Sequence, residues 1–288
     1  MGGSGRGEGY FHQPRGIEVL PDASCVVIDR SGRVQRFAAD GSVITTWILP
    51  KWRNGQPIDL TRTPWNTLLV ADTHYSRLLE YDFDGTLLEI RFDGWALPGS
   101  EPDDESAGLG LVRGVAIGAN ETIYVADYSV EDRVHRFDRG GNYLSSFGKR
   151  GESPTDLNRP EGLTVGRDGT VYVVDCGHHR IQRFDAEGNL IGSFGESGTA
   201  PGQFLFPFDI AVGSDDCLYV VEYRGNRIQR FSHDGRYLDG MGAAGREPGE
   251  FATPRGIAVL PEAEGDWIYV ADTNNHRVQR FRWRGATR

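Results

Sequence analysis

One segment recurs six times and limits what this chain can become: RVQRF (33–37), RLLEY (77–81), RVHRF (133–137), RIQRF (180–184), RIQRF (227–231) and RVQRF (277–281). Its terminal aromatics, Phe37, Tyr81, Phe137, Phe184, Phe231 and Phe281, lie 44, 56, 47, 47 and 50 residues apart. A period in this range marks repeated supersecondary units that bury their apolar faces against one another. Eight to ten residues before each aromatic, an acid closes a run rich in β-branched and aromatic residues: Asp29, Asp72, Asp127, Asp175, Glu222 and Asp272. Such runs read as strands. Fifteen residues before five of these acids stand Pro14, Pro57, Val112, Pro160 and Pro207; in the sixth copy Pro254 precedes its acid by 18. Each opens a further short strand.

Every unit therefore reads as four antiparallel strands, here called a to d, with Asp-Gly turns such as AADGS and DAEGN supplying the positive φ of tight hairpins. No helix-period segment interrupts the series. The expected fold is all-β: a six-bladed β-propeller of four-stranded antiparallel blades, one domain over 1–288, with blades at about 11–49, 57–93, 111–148, 157–195, 204–242 and 251–285. The sixth copy stops after strand c, so its blade is expected to have three full strands or to be patched by Trp283 and its neighbours.

The run NRPEGLTVGRDGTVYVVDCGHHRIQRFDAEGNLIGSFG and its sibling TPRGIAV…IYVADTNNHRVQRF resemble the NHL repeat. The resemblance implies a six-bladed propeller of a kind found in many bacterial proteins and in tripartite-motif proteins. Copy 2 departs most, with IDLTR for the usual Gly-Ile-Ala-Val pattern and Glu80-Tyr81 for Arg-Phe.

Composition narrows function by exclusion. A formal net charge of -10 repels phosphate backbones unless basic residues are segregated, so nucleic acid is not the expected partner. No run of about 18 apolar residues and no secretory h-region occurs, so a soluble chain without a membrane span is expected, with export of a longer precursor left open. Cys25, Cys176 and Cys217 lack C-x-x-C spacing and read as free thiols.

The acids and arginines repeated in every copy read as structural pairs across the b–c loop: Asp29 with Arg33, Asp72 with Arg77, Asp127 with Arg133, Asp175 with Arg180, Glu222 with Arg227 and Asp272 with Arg277. A catalytic pair would not be needed six times. VVDCGHHRIQRF packs an Asp, a Cys and two His into six positions, but it is the fourth copy of this cassette. His74, His179 and His276 read as loop packing, and His12, His135 and His233 do not converge. No cofactor is expected; zinc and calcium are the alternatives, the latter at turns such as Asp82-Phe83-Asp84-Gly85, which lack the rest of an EF-hand loop.

Positions where the copies disagree are the candidate site. The residue after each blade-opening Pro or Val is expected to ring the channel mouth, and there the copies carry Arg15, Ile58, Arg113, Glu161, Phe208 and Arg255, with Asp59 and Asp209 replacing the glycine that follows elsewhere. Three Arg, one Glu and two hydrophobes suit a mixed ligand pocket. Two unusual linkers on the same face add Trp47, Trp52 and Trp95 as interface anchors and an acidic lip, Glu101, Asp103, Asp104 and Glu105. The expected function is a noncatalytic binding propeller, monomeric, that captures a protein segment or a small ligand at the mouth. The alternative is a metal-dependent lyase or lactonase-like hydrolase. Resemblance to peptidyl-hydroxyglycine amidating lyases implies zinc-binding histidines after the blade-opening Pro, where this chain has none, and a lactonase-like site would rest on Glu161, Asp59 and Asp209. RNA binding, which some tripartite-motif NHL propellers perform through a basic face, is the second alternative.

Overall fold

A computed structural model of the chain describes residues 1–51, 57–91, 109–128 and 131–283. Its 23 strands form six antiparallel sheets, each a blade. Blade 1 comprises β1 (Pro14–Val19), β2 (Cys25–Asp29), β3 (Arg33–Phe37) and β4 (Val43–Ile48); blade 2, β5 (Asp59–Arg62), β6 (Leu68–Asp72), β7 (Arg77–Tyr81) and β8 (Leu87–Arg91). Blade 3 comprises β9 (Leu111–Ile117), β10 (Ile123–Tyr128), β11 (Arg133–Phe137) and β12 (Tyr143–Phe147); blade 4, β13 (Pro160–Val165), β14 (Val171–Asp175), β15 (Arg180–Phe184) and β16 (Leu190–Phe194). Blade 5 holds β17 (Pro207–Val212), β18 (Leu218–Glu222), β19 (Arg227–Phe231) and β20 (Tyr237–Met241), and blade 6 only β21 (Gly256–Leu260), β22 (Asp266–Asp272) and β23 (Arg277–Trp283). The only helical pieces among the described residues are three-residue 3-10 turns, three of them in b–c loops.

Blades are glued by apolar seams. The cluster between blades 6 and 1, for example, joins Ile17, Val27 and Phe37 to Tyr269, Ala271 and Val278. Linkers between strand d and the next strand a fold back as parallel bridges, Ser4 with Phe11, Arg150 with Leu157, Ser197 with Phe204 and Ala244 with Phe251, and sink Phe11, Leu157, Phe204 and Phe251 completely.

Closure differs from the Trp283 patch. Trp283 extends β23 opposite Asp266 and stacks edge-on against Tyr219 at 5.4 Å, so it belongs to strand c and to the seam with blade 5. The free edge of β23 is met by the N-terminus: Met1 exchanges backbone hydrogen bonds with Val278 (2.8 and 2.9 Å), and Gly2 bridges Arg277. Gly2 occupies the slot of Gly195, at φ +95 and +92, where a Cβ would run into Phe11 or Phe204 at 2.4 Å. Met1 thus stands where Phe194 stands in blade 4, and the ring closes through two residues.

Candidate functional site

Each strand b ends on its acid, and this acid organises the loop above it. Asp29, Asp127, Asp175, Glu222 and Asp272 each accept a hydrogen bond from the backbone N–H two residues before the opening Pro or Val of their own blade, at 2.7–3.0 Å. Arg33, Arg77, Arg180, Arg227 and Arg277 lie against their acids at 3.1, 2.8, 2.7, 2.5 and 2.7 Å. Blade 3 departs from the expected pairing. Arg133 turns to Glu131 at 2.7 Å, while Asp127 takes the ring of His135 at 3.2 Å. The cause is local, since this copy has His135 where three blades have a Gln that bonds the acid, and a glutamate two residues before its arginine.

Two histidines of the b–c loops are latches. His179 and His276 sit at φ 57 and 53, in the left-handed region, and their Nδ1 atoms accept from the N–H of Phe206 (3.1 Å) and Gln13 (3.2 Å) in the linker of the following blade. Asn226 and Asp132 do the same for Thr253 and Arg159. His178 points elsewhere, with Nδ1 on Asp175 at 2.9 Å.

The non-repeating residues gather on the axis. In blades 1, 3, 4 and 5 the register of strand a against strand b slips where Arg15, Arg113, Glu161 and Phe208 stand. A bulge there re-aims the side chain. A small cavity is lined by Ile58, Asp59, Arg113, Phe208, Asp209 and Arg255 together with Gly162 and Gly256. Glu161 joins it through Arg113 at 3.5 Å. Arg15 is 5% exposed, and its guanidinium is pushed down to about 9 by burial and then by Arg255, Arg30 and Arg113, with Glu161 pulling the other way. It therefore remains charged at neutral pH, in a field where arginines outnumber the acid.

Aromatic rings orient these arginines. The Arg255 guanidinium lies over Phe208 at 4.9 Å and Tyr223 at 5.0 Å; Arg113 lies over Tyr128 at 5.1 Å, and Arg159 over the same ring at 5.4 Å while pairing with Glu161 at 2.9 Å. Stacking covers guanidinium faces and leaves their N–H edges to in-plane acceptors. Tyr128, Tyr223, Arg159 and Arg30 were not among the expected site residues. Their signal lies in other columns of the repeat: the residue after each acid is aromatic only in copies 3 and 5.

Asp59 and Asp209 form the waist below the mouth. In four blades this slot is glycine because neighbouring strands a crowd at the axis; a Cβ on Gly114 would meet the Glu161 carbonyl at 2.6 Å, and one on Gly256 the Arg15 carbonyl at 2.1 Å. The two acids staple the junctions that follow them. Asp59 accepts from Val115 N–H (3.1 Å), and Asp209 from Ile257 N–H (2.9 Å) and Ile210 N–H (2.8 Å). Burial lifts both carboxyls, Asp59 further through the charge of Asp209, and Asp209 stands at about 7. Past the waist the channel opens into a chamber of about 200 Å³ walled by the strands a and containing Glu18.

Among the described residues no group of three or more His, Cys, Asp or Glu is placed to hold a metal ion, and no helix is long and apolar enough to cross a membrane. Trp47 packs on Tyr81 at 5.8 Å in the seam of blades 1 and 2. Trp52, Trp95 and the acidic lip from Glu101 to Glu105 lie outside the described residues.

The NHL repeat model matches residues 157–184 and 251–281. Among curated proteins none matches the chain. Virginiamycin B lyase from Staphylococcus aureus is a similar solved structure, at 15% identity and TM-score 0.65 over 94% of this chain and 95% of that one. A gluconolactonase from Xanthomonas campestris is similar at 17% identity and TM-score 0.65 (90% and 83%), and a Bacteroides thetaiotaomicron protein of unknown function at 15% and 0.71 (94% and 70%). At these identities the likeness is one of fold. The NHL repeat match falls on blades 4 and 6, and the six sheets follow one another around a common axis: the chain folds as a six-bladed β-propeller that carries NHL repeats in two of its blades.

Proposed function

We propose that this propeller is a binding module that captures a small ligand or the end of a protein segment at its channel mouth without transforming it. The observation that carries the reading is the convergence of residues that the repeat does not require. Arg15, Ile58, Arg113, Glu161, Phe208 and Arg255 come from six different blades and meet at one end of the axis. A scaffold kept only for stability has no use for four different kinds of side chain at six equivalent positions. Side chains that differ between blades on an otherwise regular ring are where recognition is placed.

The lyase and gluconolactonase among the fold neighbours are enzymes, and an enzyme reading would fall on Asp59 and Asp209. Their oxygens are engaged by backbone N–H groups of adjoining strands, which gives both acids a structural task and favours binding over chemistry. No cofactor is part of this proposal.

The test is a titration of the full chain with a charge-balanced set of aromatic fragments, followed by amide chemical shifts. Hits are expected to move Arg15, Arg113, Arg255, Tyr128 and Tyr223 first. Shifts confined to the Asp-Gly turns on the opposite face, or none at all, would sink the reading.

A further inference from the structure

We propose that the mouth selects a carboxylate: Arg15, Arg113 and Arg255 form an anion site, Arg113 and Arg255 pre-oriented by stacking, for a small monoanionic carboxylic acid or the carboxylate terminus of a peptide. The inference rests on the binding reading above and adds the chemistry of the occupant.

The first argument is charge. Four arginines, Arg15, Arg113, Arg159 and Arg255, crowd the mouth with one acid, Glu161, among them. Arg30 adds a fifth positive charge felt by Arg15, and His74 on the next blade lies in the field of Arg113 and Arg15. The chain as a whole carries -10, so this basic mouth runs against its average. Like charges held together and partly desolvated repel one another, and an anion placed among them relieves that repulsion.

The second argument is geometry. Arg255 lies over two rings and Arg113 over one, which fixes the planes of both guanidinium groups before a ligand arrives. The Nε of Arg255 is buried and has no hydrogen-bond partner among the described residues, and the Nε of Arg113 has only the Glu161 carboxylate, 3.5 Å away. A fixed planar fork matches a planar carboxylate in a bidentate arrangement and loses little conformational freedom on binding.

The third argument separates carboxylate from phosphate. Asp59 and Asp209 lie immediately beneath, on the walls of the same small cavity. A dianion would meet twice the repulsion from negative charge at this waist that a monoanion meets. Ile58 and Phe208 flank the site and suit an apolar substituent next to the acid group.

The experiment titrates the full chain with benzoate, benzamide, benzylamine and inorganic phosphate by calorimetry, with amide shifts locating each site. Benzoate is expected to saturate one site at the mouth, benzamide to bind at least tenfold more weakly, and affinity for benzoate to fall at least tenfold in Arg255→Gln and in Arg113→Gln. Arg255→Lys, which keeps the charge but not the fork, is expected to fall between, and Arg236→Gln on the opposite face to bind as the parent does. Unchanged thermal unfolding certifies that each variant is folded. Equal binding of benzamide, or tighter binding of phosphate at pH 8, overturns the carboxylate assignment. Binding of benzylamine at the mouth without benzoate overturns it too, while leaving capture at the mouth standing.

Discussion

Blade 4 and blade 2 do the same work with opposite residues. In blade 4, Arg183 near the end of strand c reaches the Asp234 carbonyl in the next blade's turn at 3.4 Å; Arg36, Arg136 and Arg280 make the same reach from blades 1, 3 and 6. Blade 2 has Glu80 there. Glu80 accepts from Trp65 Nε1 (2.7 Å) and Thr67 Oγ1 (2.6 Å) and grips Arg91 of strand d at 2.6 Å, and Arg91 reaches the next turn at the Arg139 carbonyl, 2.7 Å away. Burial alone would raise the Glu80 carboxyl, but the Thr67 hydroxyl, the Trp65 indole and Arg91 hold it below the usual range. The contact between blades is kept while its charge moves one strand outward. A repeat position therefore constrains the contact and leaves open which residue makes it.

The largest effect should come from the hub beneath that difference. Asp175 accepts from the Asn158 N–H, His178, Arg180 and Gln182, so Asp175→Ala leaves four donors without their acceptor. A loss of about 3–5 kcal/mol is expected, read by guanidinium unfolding, against about 1–2 kcal/mol for Arg180→Ala, whose side chain is partly solvated. In blade 2, Asp72 and Arg77 are both wholly buried, so Asp72→Ala should cost at least as much as Asp175→Ala. A smaller cost there would mean that blade 2 has moved its stability elsewhere.

A charge exchange probes the comparison itself. Glu80→Arg places a cation beside Arg91 and takes the acceptor from Trp65 and Thr67; about 2–4 kcal/mol should be lost. Adding Arg91→Phe recreates the blade 4 arrangement, because Arg91 and Phe194 are equivalent in register opposite Leu78 and Ile181. The double variant should recover at least ~1 kcal/mol relative to the sum of the singles. Strict additivity in the double-mutant cycle would show that the two blades are not interchangeable solutions.

The cassette was legible because it repeats: six copies of one spacing fix strand order, turn positions and the acid of each strand b without any long-range information. The ring of Arg15, Ile58, Arg113, Glu161, Phe208 and Arg255 was legible by the reverse logic, as the column in which copies disagree. What stacks on that ring was not. Tyr128 and Tyr223 reach it from strand b and the loop after it, Arg159 from a linker, and only the bulges of strand a bring those columns to one point. Nor was the exchange of Arg133 from Asp127 to Glu131, because a strand register says which residues face each other and not which of two nearby acids a flexible arginine takes. Ring closure through Met1 and Gly2 was missed for a related reason: a two-residue strand end carries no pattern of its own.

The smallest effect tests the latch, where blades also exchange residues. His179 combines a left-handed backbone with an acceptor for Phe206 N–H, and Asn226 fills both roles in blade 5. His179→Ala loses both and should cost about 1–2 kcal/mol; His179→Gly relieves the backbone and should cost about 1 kcal/mol; His179→Asn should stay within about 0.5 kcal/mol of the parent. Acid separates the parent from the Asn variant. Burial lowers the affinity of His179 for a proton in the folded state, against an opposing backbone contact, so the latch contributes fully above the unfolded value of about 6.5 and is lost as pH falls through the lower folded value. His179→Asn should therefore gain on the parent between pH 7 and pH 5 in urea unfolding. Parallel pH profiles would show that His179 accepts no bond that matters to the fold.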